Sequence, residues 1–355
     1  MFSYIGNDKL CLIHFKILKN MDGIEQSFEE VFKEAYEQEE FNGVVVVAHQ
    51  GEALYEEAFG IADIETEENL AVNSIFNLAS VSKQFTATCI MLLYEQEKLD
   101  YDDAITTYLT NLPYDNITIR HLLNHTSGLP DYEDIVEEYW DGDTEKDFFT
   151  IKDLLEIYSG EELELDFEPE EKYEYSNTGY VFLACIVEKA SGMSFEDFIK
   201  KYVFEPLGMK NSFACRKPNK TPKKAAQGFT TNDDGDYEDY TYNYLDGLVG
   251  DGNIFSSVSD LVIYAHALIN GDLLSQDTLD EAFTPATLAN GKKTTYGFGW
   301  ELEGEGFISH EGSWEGYNTY LGIDLEDGYV FVVLDNGDHP DIADLVEEAM
   351  EGFYE

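Results

Sequence analysis

Ile24, Phe28, Val31, Phe32, Ala35 and Tyr36 recur with Glu and Lys between them. That spacing is one face of a helix, predicted over about 24–38. Val44–Ala48 is a continuous apolar run, His49-Gln50-Gly51-Glu52 carries turn residues, and Ala53–Phe59 returns, together predicting a β-hairpin. From about 80 to 290 the pattern is mainly helical, with long acidic loops and a break at Pro206-Leu207-Gly208. It turns β again at Phe307–Ser309, Tyr317–Asp324 and Tyr329–Leu334, with Asp327-Gly328 as a hairpin turn. Ile342, Leu345, Val346, Ala349 and Phe353 mark a closing amphipathic helix. This order predicts a mixed α/β chain of the α+β type. Its antiparallel sheet is built from both termini and flanked by helices, and the middle, about 100–290, forms a mainly helical lobe.

The 355 residues are ample for a core, and 43% hydrophobic composition excludes wholesale disorder. Charge changes the picture most: 73 Asp and Glu against 21 Lys and Arg give −52. Such a polyanion repels phosphate backbones and anionic lipid surfaces, so no nucleic-acid partner is expected. No apolar run reaches the roughly 18 residues of a membrane span. With only Arg120 and Arg216 as arginines, the acidity reads as adaptation to high salt. Cys11, Cys89, Cys185 and Cys215 are scattered and suggest neither a disulfide framework nor a zinc knuckle. Residues 1–20 hold Lys9, Lys16 and Lys19 with one acid, Asp8, and lack a small-residue cleavage site. They read as an extension ahead of a folded domain over 21–355, and without an export signal the expected compartment is the cytoplasm. Arg216, Lys217, Lys220, Lys223 and Lys224 form a basic island, either a lure for an anionic substrate or a solvated loop.

Four local patterns can carry chemistry. In Ser80-Val81-Ser82-Lys83, a helix starting near Ser80 puts hydroxyl and amine one turn apart. Desolvation and the positive helix end lower a lysine pKa, which makes Lys83 a neutral base and leaves the Ser80 N–H as an oxyanion donor. Tyr175-Ser176-Asn177 can set a phenol beside a nucleophile and an amide beside a substrate carbonyl, or be a solvated turn. His310-Glu311-Gly312-Ser313 ends a strand; Gly312 admits close approach, and the Ser313 N–H is a second oxyanion donor. His121 and His125 have an i, i+4 spacing, but Leu122 stands where a zinc protease needs Glu, so the stretch reads as a helix ended by Gly128. The acidic loop Asn232–Asp236 has Thr241 where a calcium loop needs Glu. Neither a metal nor a cofactor is expected.

S-x-x-K, Y-x-N and H-x-G occur in that order, with Asn124-His125-Thr126-Ser127-Gly128-Leu129, Pro206-Leu207-Gly208-Met209, Gly250-Asp251-Gly252-Asn253 and Tyr296-Gly297-Phe298-Gly299-Trp300 around them. The ordered set, over about 24–350, resembles the serine β-lactamase and penicillin-binding protein superfamily, in its class C-like branch with D-Ala-D-Ala carboxypeptidases, D-aminopeptidases and esterases. The resemblance implies a β-lactamase-like fold and an acyl-enzyme on Ser80, with Lys83 and Tyr175 moving protons. Asn177, His310, Gly312 and Ser313 would bind a small-molecule or peptide substrate. His310 stands where β-lactamases of this kind usually have Lys, which lowers the fixed positive charge. The expected activity is hydrolysis of an ester or a D-amino-acid amide. A true β-lactamase and a non-catalytic penicillin-recognising module are the other readings.

Overall fold

The structure is a computed structural model that describes residues 21–354 apart from 161–162, 217–224, 233–236, 240–242, 305 and 340. The N-terminal extension, the basic island beyond Arg216 and the acidic loop 233–236 lie outside the described residues.

Helix α1 (Met21–Glu37) leads into strands β1 (Gly43–His49) and β2 (Glu52–Ala58). Short strands β3 (Ile61–Asp63), β4 (Glu68–Asn69), β5 (Phe76–Asn77), β6 (Phe213–Ala214), β7 (Phe229–Thr231), β8 (Tyr237–Asp239) and β9 (Ile254–Ser256) form three small sheets. The middle helices are α2 (Ser82–Glu95), α3 (Ile119–Leu123), α4 (Tyr132–Tyr139), α5 (Ile151–Gly160), α6 (Asn177–Ser191), α7 (Phe195–Ile199), α8 (Glu205–Leu207), α9 (Val258–Asn270) and α10 (Gln276–Ala282). Strands β10 (Glu301–Gly304), β11 (Phe307–Trp314), β12 (Tyr317–Asp324) and β13 (Tyr329–Asp335) precede α11 (Ile342–Tyr354).

The main sheet has the order β10-β11-β12-β13-β1-β2, with every neighbour antiparallel. The two ends of the chain therefore meet at its centre, where Gly43 pairs with Asp335 and His49 with Tyr329. β1 and β13 read as unbroken apolar runs because both their faces are buried. Val45, Val47, Phe331 and Val333 face α1 and α11, where Phe28, Phe32, Val346 and Ala349 cover them. Val44, Val46, Val330 and Val332 face the helical lobe. Each such side chain contributes about 1.5–3 kcal/mol of burial. α1 and α11 are also tied by the Ser27 hydroxyl, which donates to the Ala349 carbonyl at 2.7 Å.

Two local readings need correction. α3 stops at Leu123, with Asn124 as its cap and His125 at φ +55°, so the helix does not run to Gly128. Gly128 instead lies in the following loop at φ +74°, where a Cβ would meet the Phe167 carbonyl oxygen at 1.9 Å. β11 runs on past Ser309 to Trp314. Its Glu311, Gly312 and Ser313 spoil the apolar alternation, although pairing with β12 continues through Trp314↔Tyr317.

Candidate active site

The turn bearing Ser80 is built before the helix. Ala79–Val81 is a single 3-10 turn and α2 proper begins at Ser82. Ala79 sits at φ +47°, a conformation that costs a non-glycine residue about 1–3 kcal/mol and is held by its surroundings. The Asn77 side chain accepts from the Ala79 N–H at 3.0 Å, the Leu78 N–H donates to the Ile254 carbonyl at 2.8 Å, and the Thr319 hydroxyl donates to the Leu78 carbonyl at 2.7 Å. β12 and β9 thus grip the turn from two sides.

Lys83 is fully buried one turn on. Its Nζ donates to Ser80 Oγ at 3.0 Å, to Asn177 Oδ1 at 2.7 Å and to the Asp251 carbonyl at 3.0 Å. Burial pushes its pKa down to about 8, against the upward pull of the Asp251, Asp131 and Glu133 carboxylates. The half-buried Tyr175 lies with its ring 4.9 Å from Nζ and is hydrogen-bonded to Ser80. Its surroundings push the phenol well above its ordinary value, so it is a neutral donor at pH 7. Asn177 opens α6, and its backbone N–H donates to Asp131 Oδ2 at 2.5 Å. Its side-chain amide also donates to Glu133 Oε1 at 2.9 Å.

β11 forms the facing wall. A Cβ at Gly312 would meet the Ser80 nitrogen at 2.8 Å and the Leu78 carbonyl oxygen at 2.6 Å, so only glycine lets the strand lie this close. Trp314↔Tyr317 closes a two-residue turn and is a hydrogen-bonded pair; pairs alternate, so the Ser313 N–H points away from β12. β10 pairs with β11 only as far as Ser309, which leaves that N–H unclaimed by the sheet. Ser80, Asn177, Glu133, Asp251, Ser313 and Trp314 line one crevice.

His310 is buried on the same face of this strand as Gly312, with its ring 6.2 Å from that of Tyr175. Its Nδ1 faces the Glu311 carbonyl at 2.5 Å and must carry the proton, so Nε2 accepts from the Tyr296 hydroxyl at 2.8 Å. Burial, and then the charge of Lys83, push its pKa down to about 3, so the ring is neutral. His121 and His125 do not converge. His121 Nδ1 accepts from the Thr118 N–H at 3.2 Å, whereas the buried His125 accepts from the Ser176 N–H at 3.1 Å with its ring 4.3 Å from that of Tyr175.

Sequence reasoning missed the acids. Asp131 caps α4, Glu133 follows it in the first turn, and Asp251 accepts from the Tyr132 hydroxyl at 2.7 Å. Burial, then Asp131 and Asp251, push Glu133 up to about 7. The signal available was the N-cap position of Asp131 after Gly128-Leu129-Pro130.

An antiparallel sheet with helices on both faces, and a serine one turn from a buried lysine at its edge, define the class of the serine β-lactamases and penicillin-binding proteins. The chain belongs to the beta-lactamase family, whose family model matches residues 28–351. It is 40% identical over 306 residues to penicillin-binding protein 4* of Bacillus subtilis (strain 168), covering 82% of this chain and 67% of that protein. It is 24% identical over 284 residues to a D-aminopeptidase of Gluconobacter oxydans (strain 621H), covering 78% of this chain and 52% of that one. The solved structure of the D-amino acid amidase from Ochrobactrum anthropi SV3, complexed with L-phenylalanine amide, superposes with a TM-score of 0.77 at 26% identity, covering 93% of this chain and 98% of that one. Among the described residues no helix is long and apolar enough to cross a membrane.

Proposed function

We propose that the chain is a serine hydrolase that forms an acyl-enzyme on Ser80, with an ester or amide of a D-amino acid bearing a free α-amino group as substrate. The observation that carries this reading is the Lys83 amine, 3.0 Å from Ser80 Oγ and lowered to about 8. Neutral Lys83 takes the Ser80 proton as Oγ attacks the carbonyl carbon. The oxyanion is held by the N–H groups of Ser80 and Ser313, and removing one such donor costs about 3–4 kcal/mol elsewhere. The neutral phenol of Tyr175 relays the proton from Lys83 to the departing oxygen or nitrogen. Water then attacks the ester, the same groups move its proton, and Ser80 is regenerated. Asn177 holds Lys83 in place, and His310, held by Tyr296, stands beside Tyr175 without a charge of its own.

The preference for an amine rests on Glu133 and Asp251, which put carboxylates in the crevice, while His310 supplies no cation for the carboxylate of a β-lactam. The names of the D-aminopeptidase and D-amino acid amidase relatives agree with that preference. The test compares p-nitroanilides of D- and L-alanine, their N-acetyl forms and nitrocefin, with fluorophosphonate labelling mapped by mass spectrometry. The expected result is a label on Ser80, absent in Ser80→Ala, and a KM that rises about tenfold in Glu133→Gln for the free amine alone, a loss of about 1.4 kcal/mol. Equal turnover of free and acetylated substrates, or nitrocefin as the better substrate, overturns the amine reading.

A further inference from the structure

Asp246 is a buried carboxylate that the mechanism above does not use. It lies in the 3-10 turn Tyr244–Gly247, whose Leu245 lines the crevice, and it reaches across to Trp314 of β11. Among the described residues no cation pairs with it, and burial pushes its pKa up to about 6. A buried acid without a cation is destabilising unless it is hydrogen-bonded, and this one is. Its Oδ1 accepts from the Trp314 indole N–H at 2.8 Å, and its Oδ2 accepts from the Asn243 backbone N–H at 3.1 Å. A second bond runs parallel to the first, from the Asn243 side-chain amide to Glu315 Oε1 at 2.6 Å.

Trp314 follows Ser313 directly, and Glu315-Gly316 is the tight turn beyond, with φ of +41° and +74°. On its outer side this hairpin tip is packed against backbone, since a Cβ at Gly228 would meet the Glu315 carbonyl oxygen at 2.6 Å. On its inner side Asp246 and Asn243 hold it.

We propose that Asp246 is a positioning residue for acyl transfer: through the Trp314 indole it fixes where the Ser313 N–H stands relative to Ser80. The proposal rests on the reading of Ser80 and Ser313 as the oxyanion pair. Displacing a donor by about 1 Å costs on the order of 10²-fold in rate.

The variants separate this role from simple capping. Trp314→Phe removes the indole donor, and Asp246→Leu removes both acceptors. Asp246→Asn keeps an oxygen for the indole but loses the second acceptor toward Asn243. With p-nitrophenyl acetate in stopped flow, Trp314→Phe and Asp246→Leu each lower the acylation rate constant about 10- to 100-fold. In Asp246→Leu, whose side chain does not line the crevice, the substrate dissociation constant stays within about twofold, the mark of an interaction made only in the transition state. The double variant is no slower than the slower single one, because both changes break the same link, and Asp246→Asn acylates within about threefold of wild type. An unchanged rate in Trp314→Phe, losses that multiply in the double variant, or an Asp246→Asn as slow as Asp246→Leu would overturn the proposal. A wild-type chain that fluorophosphonate never labels at Ser80 overturns the reading of the site instead, so the two failures are distinct.

Discussion

Replacing Lys83 with Met tests the base assignment and the burial argument in one experiment. The folded pKa, about 8, lies below the ordinary lysine value of 10.5, because burial outweighs the attraction of Asp251, Asp131 and Glu133. The unfolded chain therefore holds this proton more tightly than the folded one. Below pH 8 both states are protonated and the folded state carries the full cost of a buried cation, about 3 kcal/mol. Between pH 8 and 10.5 the folded state has released the proton while the unfolded state keeps it, so stability climbs with pH. From pH 7 to pH 9.5 the gain is about 2 kcal/mol. Met fills similar space and has no such titration, and the hydrogen bonds lost with the amine offset part of the relief at every pH alike. Urea unfolding at pH 7 and pH 9.5 thus shows wild type gaining about 2 kcal/mol on Lys83→Met over that interval. Acylation of Ser80 in the variant falls by about 10²–10⁴. Parallel stability changes in the two proteins, or normal acylation in the variant, would refute the reasoning.

The remaining expectations are quicker to check. The acylation rate of the free enzyme rises from pH 6 to pH 9 with a midpoint near 8, as Lys83 loses its proton; a flat profile across that range would exclude Lys83 as the base. His310, already neutral, contributes no limb above pH 5, so His310→Gln leaves the midpoint in place. Gly312→Ala drives a methyl into the Ser80 nitrogen and the Leu78 carbonyl, costing about 1–3 kcal/mol of stability, and its acylation loss is read by labelling at matched folded fraction. In native thiol titration with a disulfide reagent, Cys89 and Cys185 stay silent, since burial pushes both thiols up, and both react once the chain is unfolded.

The frame of the fold was legible because its signals are local. The period of Phe28 and Phe32, the apolar run of Val44–Ala48 and the apolar content of Tyr329–Leu334 depend on neighbours a few residues away. Ser80 and Lys83 were legible for the same reason, since one helical turn fixes their distance. The far half of β11 was hidden because Gly312 is there for the closeness of Ser80, a demand from a turn far away in the chain and outside the sheet. His125 was hidden because its role depends on Ser176 and Tyr175, fifty residues on. Glu133 and Asp246 were hidden by number among 73 acids, and Asp251, although part of the Gly250–Asn253 stretch, had no local pattern to show that it faces inward.

The central seam of the sheet joins Asn42 to Asp335, positions 293 residues apart, by a hydrogen bond of 2.8 Å. Such a long-range pairing slows folding, because a large loop must close before any contact rewards it. During synthesis β1 has no neighbour on that side until β13 has been made, and the turn bearing Ser80 has no Thr319 to grip it. An incomplete chain therefore carries Ser80 and Lys83 without the β11 wall, and the proposed acyl transfer has its full site only when the last strands are in place.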